Sequence, residues 1–356
     1  MYNMNSSNNS FSSYLSSYSK SKLNDNSLPI THTRIGSKEF QVFGGSYSVP
    51  DDRRAEFYEK YYNHVFVNKE KEYLTEKQLS EKSPIAIDID FRYSFDINER
   101  QHTTDHIIDL IQLYLEELKK IVIFEENKPF YIFILEKKNI NKVTEKEICK
   151  DGIHIIIGIQ LCHVLQCHLR DQIVSKIHTI WDLPITNDWD SVFDEGISKG
   201  STNWQMFGSQ KPNHEPYELS HISEVSFDIN DGEFITIPKT ILEFDLKKNF
   251  SLLSVRFDQH PCFELTANGS NLLESSLNKK KSRKPVLFVD NIKTSSFESV
   301  QLGDICNKNA LEQAVNAFLS SLKSDEYGLR ELHEYTQILP GRFYEPGSHL
   351  ENRKVA

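Results

Sequence analysis

The chain has 356 residues, 38% of them hydrophobic, and a formal net charge of −10, so a sizeable core in one large domain or two is affordable. The charge excludes an evenly basic nucleic-acid coat; a nucleic-acid partner needs local basic patches. No apolar run approaches the ~20 residues that span a bilayer. No Gly-x4-Gly-Lys-Ser/Thr phosphate loop occurs, and five cysteines without a secretory signal fit reduced thiols in a soluble protein.

Residues 1–27, rich in Ser, Asn, Tyr and Lys, read as a disordered tail, with order beginning near Leu28-Pro29. Gly44-Gly45 is a turn, Pro50-Asp51-Asp52 a helix start, and Arg53–Val65 a helix rich in Tyr and Phe. In Pro84–Arg92 the apolar residues alternate, predicting a half-buried strand with Ile85, Ile87 and Ile89 on one face and Ala86, Asp88, Asp90 and Arg92 on the other. Thr104–Leu118 is an amphipathic helix, Phe130–Leu135 a short strand, Lys150–Gly158 another, and Leu161–Trp181 a long helix. A polar, Gly-rich run follows Phe193-Asp194, and Asn230-Asp231-Gly232 marks a hairpin between two strands. Residues 266–290, which hold the basic run Lys279–Lys284, read as a flexible basic linker, and 291–356 as a helical segment with helices at Asn309–Leu322 and Tyr327–Ile338. The chain stops without a closing signal, as a piece of a longer protein does. Strands alternating with helices predict an α/β or α+β core over residues 28–265.

Three constellations carry candidate chemistry. Three isoleucines facing a core make Asp88 and Asp90 emerge side by side, where two charges ~4 Å apart repel by about 4 kcal/mol at an effective dielectric of ~20. A cation between them, a basic partner or a proton relieves this; a solvated strand face is the equally good bland reading. In Lys150-x-Gly152-x-His154, glycine leaves room for a ligand beside an imidazole, although a strand histidine is more often merely packed. Asp194 precedes a polar run holding Lys199, Ser209 and Lys211, which suits phosphate contacts and also suits an ordinary surface loop. The helix bearing Cys162, His163, Cys167 and His168 lacks zinc-ligand spacing and reads as packing.

Taken in order, Asp88-Ile89-Asp90, Gly152-Ile153-His154 and Phe193-Asp194 with Lys211 resemble the motifs of the archaeo-eukaryotic primase superfamily. Lys150, four residues before the histidine, matches the primase-polymerase branch. Asp90-Phe91-Arg92 and Trp204–Pro212 leading to Tyr217 look closest to primase-helicases of large nucleocytoplasmic DNA viruses. The resemblance implies a catalytic core with an RRM-like sheet and two Mg2+ or Mn2+ ions on Asp88, Asp90 and Asp194. His154, Lys211, Lys150, Arg92 and Ser209 would hold the nucleotide. It also implies a single-stranded DNA template, NTP or dNTP substrates, a superfamily-3 helicase module as partner, and a virus-encoded protein in the host cytoplasm or virion. Where the primase-polymerase branch carries arginines, this chain has Thr202 and Gln205, with Lys199 a partial substitute. The expected activity is primer synthesis on single-stranded DNA. The alternatives are a non-catalytic single-strand-binding or helicase-assembly module and a metal-dependent nuclease.

Overall fold

In chain order the elements are α1 (Phe11–Ser16), α2 (Lys20–Leu23), β1 (His32–Arg34), β2 (Gly45–Tyr47), α3 (Arg54–Tyr62), β3 (Leu74–Glu76) and β4 (Lys82–Ser94). Next come α4 (Thr104–Lys119), β5 (Val122–Ile123), β6 (Phe130–Lys137), β7 (Asn141–Val143), β8 (Ile148–Cys162) and α5 (His163–Ile177). Then follow α6 (Trp189–Val192), α7 (Glu195–Ser198), β9 (Trp204–Gln205), β10 (Tyr217–Asp228), β11 (Glu233–Lys239), α8 (Ile241–Phe244), α9 (Leu246–Asn249), β12 (Glu264–Leu265) and α10 (Ala267–Ser282). The computed structural model describes residues 10–23, 27–282, 315–316 and 319–320. The chain divides into two units, 1–284 and 285–356; in the second, the described residues are helical. This is an α+β fold.

The main sheet runs β11-β10-β6-β8-β4, with β7 also paired to β8, and every pairing in it is antiparallel. An isolated antiparallel bridge, Ile89 to Phe193, adds one more rung outside β4. Counting that rung as a strand, the order is 193-β4-β8-β6, the split βαββαβ arrangement of RRM-like folds, with α4 and α5 as its two helices. The last strand of that motif is thus reduced to Phe193 and its neighbour, and this brings Asp194 to the acid-bearing strand.

Each face of the sheet has its own core. Ile85, Ile87, Ile89, Phe91 and Tyr93 of β4 and Ile153, Ile155 and Ile157 of β8 pack under α4 and α5, against Leu110, Tyr114, Leu165 and Leu169. α4 starts in a capping box, Thr103 with His106 in the position usual for Glu. The opposite face buries Ala86, Phe133, Leu135 and Ile156 under α3 and the smaller sheet β2-β1-β3-β9, with Phe57, Tyr61, Leu74 and Trp204. β8 continues to Cys162, paired with Lys82, so the helix predicted from Leu161 begins at His163. The β10–β11 hairpin turns at Gly232, whose φ of +70° suits glycine.

Two sequence expectations are corrected. Within the tail expected to be disordered, residues 11–16 form α1, capped by Ser10, and bury Phe11 and Leu15 one turn apart. The Phe11 ring lies 5.5 Å from Tyr61 and 5.1 Å from His64, so two apolar anchors outweigh a polar background. Within the expected flexible linker, residues 267–282 form α10, started where Thr266 Oγ1 donates to Lys120 O at 2.8 Å. Leu272 of this helix packs against the helical-face core. Arg283, Lys284, and the helices expected at 309–322 and 327–338 lie outside the described residues, apart from 315–316 and 319–320.

Candidate active site

The β4/β8 ladder pairs Asp88 with His154 and Asp90 with Gly152, on the face away from α4 and α5. His154 Nε2 stands 3.3 Å from Asp88 Oδ1, close enough for an ion pair, yet that buried oxygen accepts no hydrogen bond. The imidazole is clamped: the Tyr217 ring stacks on it at 3.6 Å and 19°, and the Trp204 ring lies 4.3 Å away. Gly152 cannot be larger, because a Cβ there would meet Ile89 O at 2.7 Å and the Tyr217 hydroxyl at 2.9 Å.

Charges converge on the acid pair. Burial works to raise the Asp88 carboxyl, but His154, then Lys211 and Lys137, hold it below the ordinary range. Asp90 goes the other way, raised by burial and by Asp88, with Lys211, His154 and Lys150 opposing. Lys137 is lowered by burial and by Lys211, against the pull of Asp90 and Asp88. The Tyr217 phenol is held protonated by burial and by the same two acids. Lys211 is exposed, and Arg92 and Lys150 face each other one row beyond Asp90 and Gly152.

The Ile89–Phe193 bridge sets Asp194 across from Asp88, and Asp194 N donates to Asp88 O at 3.0 Å. Its carboxylate Oδ1, however, caps α7, accepting from Ile197 N at 3.1 Å. Among the described residues, no group of three or more His, Cys, Asp or Glu is disposed to hold a metal ion. The three aspartates therefore share one locality without yet sharing one ligand centre. Asp88 and Asp90 fit a hard divalent cation nonetheless: their donors are carboxylate oxygens, one of them buried without a hydrogen bond, and they repel each other.

Ser209 is a correction. Its side chain is 1% exposed and its hydroxyl is used internally, 2.8 Å from the Tyr61 hydroxyl and accepting from Leu74 N at 3.0 Å, so it pins its loop to β3 rather than facing a nucleotide. Lys199 pairs with Glu195 at 2.6 Å, and Gln205 Nε2 donates to Ser209 O at 2.7 Å, so neither stands in for an arginine. His163 sits between Leu79 O and Ser198 O, at 2.8 and 3.2 Å, and Cys162 ends β8, in keeping with a packing role for that helix start.

Sequence reasoning missed Lys137, although Phe133, Leu135 and Lys137 alternate onto the site face. It also missed the network behind Gly152. Arg100 grips Asp151 through Nε at 2.9 Å and Nη2 at 3.1 Å, and Glu136 through Nη1 at 2.9 Å; His102 Nε2 meets Glu136 at 2.9 Å. Asp151 Oδ1 in turn accepts from Gly152 N at 2.9 Å. Against the cost of burial, His102, Ser220 and Arg100 hold Glu136 down at about 2. Two clefts of about 420 Å³ lie elsewhere, beside α3 and before β12; both are lined by Arg54, which is already paired with Asp51 and Asp258.

The family model described as the C962R protein N-terminal AEP domain matches residues 36–223, more than half of the chain. The chain belongs to the archaeo-eukaryotic primase family. It is also 32% identical over 200 residues to the "Putative helicase L207/L206" of Acanthamoeba polyphaga mimivirus, covering 54% of this chain. The match spans 20% of that relative. The matched segment holds Asp88, Asp90, His154, Asp194 and Lys211, and among the described residues no helix is long and apolar enough to cross a membrane.

Proposed function

We propose that the chain is the primer-synthesising part of a giant-virus replication protein, joining NTPs or dNTPs on a single-stranded DNA template. One observation carries this: Asp88 and Asp90 stand beside a clamped His154, with the Asp194 main chain bonded to Asp88 and the charges of Lys211, Lys137 and Lys150 bearing on the pair. Two Mg2+ or Mn2+ ions held by Asp88, Asp90 and Asp194 would neutralise the triphosphate and activate the attacking 3′-hydroxyl. Asp194 joins such a site by turning its second oxygen inward or by releasing Ile197 N. His154, fixed by two rings, holds Nε2 beside Asp88, where it would donate to a phosphate oxygen. Lys211 and Lys150 hold the phosphates, and Arg92 extends the cationic row toward the primer. The helicase-named viral relative supports a helicase module as partner and a viral origin; we further propose that the helicase is of superfamily 3 and that the setting is a replication compartment in the host cytoplasm.

The test is template-dependent incorporation of labelled NTPs or dNTPs with Mg2+ or Mn2+, comparing wild type with Asp88→Ala/Asp90→Ala. Synthesis by wild type alone supports the reading, and synthesis that survives the double change sinks it. Shortening of labelled DNA, indifferent to triphosphates, would make the protein a nuclease. The capped Asp194 carboxylate favours one second reading, a non-catalytic module. Single-strand binding insensitive to all three acids, without synthesis under either metal, would establish that.

A further inference from the structure

The β6/β8 ladder ends at Glu136 and Ile153, which sets Lys137 beside Gly152 on the site face, in the row that begins with Asp90. Gly152 contributes no side chain to that row, and the space its Cβ would fill is bordered by the Tyr217 hydroxyl and Asp90 Oδ1. Lys137 and Tyr217 are cross-strand partners, and the ammonium lies 4.8 Å from the centre of the Tyr217 ring. The same ring stacks on His154. Lys137 is half-buried, and its ammonium makes no hydrogen bond or ion pair among the described residues. The charge of Lys211 also bears on it. Two ammonium groups and an imidazole thus border the recess of the acid pair; once divalent cations occupied those carboxylates, a multiply charged anion would be the partner that satisfies them.

We propose that Lys137 is a binding residue for the triphosphate of the incoming nucleotide, positioned by Tyr217, which fixes His154 with the same ring. The inference rests on the nucleotidyl-transfer reading above and adds to it a contact and a positioning residue. A nucleic-acid backbone is tracked by exposed cations along a face, as Arg92 is; a half-buried cation that shares the Tyr217 ring with His154 suits a compact anion.

The experiment uses the full chain and two probes, inorganic tripolyphosphate and ATP, with affinities read by calorimetry and a single-stranded oligonucleotide in parallel. Lys137→Met should weaken both probes by about tenfold, Lys137→Arg should stay within about threefold of wild type, and oligonucleotide binding should not change. Lys138→Ala, one residue along and exposed, should change nothing. Tyr217→Leu, which removes the ring, should lose affinity for both probes. Should the Met variant melt early, Lys137→Gln keeps most of the stem and gives the same readout. Unchanged tripolyphosphate affinity in Lys137→Met overturns the proposal, as does loss of oligonucleotide binding alone. A wild type that binds tripolyphosphate through Lys137 yet synthesises nothing overturns the primase reading and leaves this site standing.

Discussion

Glu76 permits a quantitative test of how the site is supported. It lies at the centre of β3, fully buried, across from His32 on one side and Trp204 on the other. Ser254 donates to its Oε2, Tyr58 donates to Ser254 Oγ at 2.8 Å, and Oε1 has no partner. Burial raises the carboxyl from 4.5 to about 7, against the pull of Ser254, Arg256 and Arg54. An acid raised on folding releases its proton first in the unfolded chain. Its contribution to stability is therefore complete below pH 4.5 and lost as pH rises to about 7. At roughly 1.4 kcal/mol per pH unit this amounts to about 3 kcal/mol. Glu76→Gln keeps an acceptor for Ser254 and carries no charge. The stability difference between variant and wild type, from urea midpoints, should grow in the variant's favour by about 3 kcal/mol between pH 4.5 and 7.5. His32, pushed down to about 3, stays neutral throughout that window, and other groups cancel in the difference. Parallel curves for the two proteins would refute the assignment of a strained, proton-holding carboxyl.

Three further outcomes are expected. Gly152→Ala should cost about 1–3 kcal/mol in denaturant titrations and abolish primer synthesis, since the added methyl must displace Ile89 O or the Tyr217 hydroxyl. Arg100→Ala strips the bidentate partner from Asp151, whose side chain is 0% exposed, and should destabilise by about 3–5 kcal/mol in the same assay. Phe11→Ala removes the anchor of α1 and should cost about 3–5 kcal/mol; a change under ~1 kcal/mol would mean that α1 does not belong to the folded unit.

The strands that carry the chemistry were legible because each obeys a period. Ile85-x-Ile87-x-Ile89 announces its buried face, and the acids follow by parity. The β10–β11 hairpin and α4 were equally plain, the first from its turn residues and the second from its apolar stripe. What escaped depends on contacts between distant segments. Composition averaged over residues 1–27 hid the i, i+4 pair Phe11 and Leu15. Ser209 looked like a phosphate contact until Tyr61, 148 residues away in sequence, claimed its hydroxyl. Lys137 was passed over because nothing local reveals that the next strand over has a glycine at that row. Asp194 was identified, but not that its strand would shrink to a single bridge and leave its carboxylate to cap a one-turn helix.

The position of the acid pair follows from where the second cover of the sheet stops. Along the site face of β4, Ala86 is 1% exposed, the Asp88 side chain 18%, and Asp90 and Arg92 lie open. Along the other face Ile85, Ile87, Ile89, Phe91 and Tyr93 never exceed 5%. One strand thus carries a uniform anchor and a steep dielectric gradient at once. Asp88 sits where the surroundings are apolar enough to strengthen its attraction to His154 and the lysines, and Asp90 where ions and substrate can still reach. A slip by one residue would carry Ile89, Phe91 and Tyr93 to open positions, a loss of roughly 6 kcal/mol at ~2 kcal/mol each, a large part of what a domain has to spare. The helical-face core, far from any substrate, is what keeps the carboxylates aimed at the site.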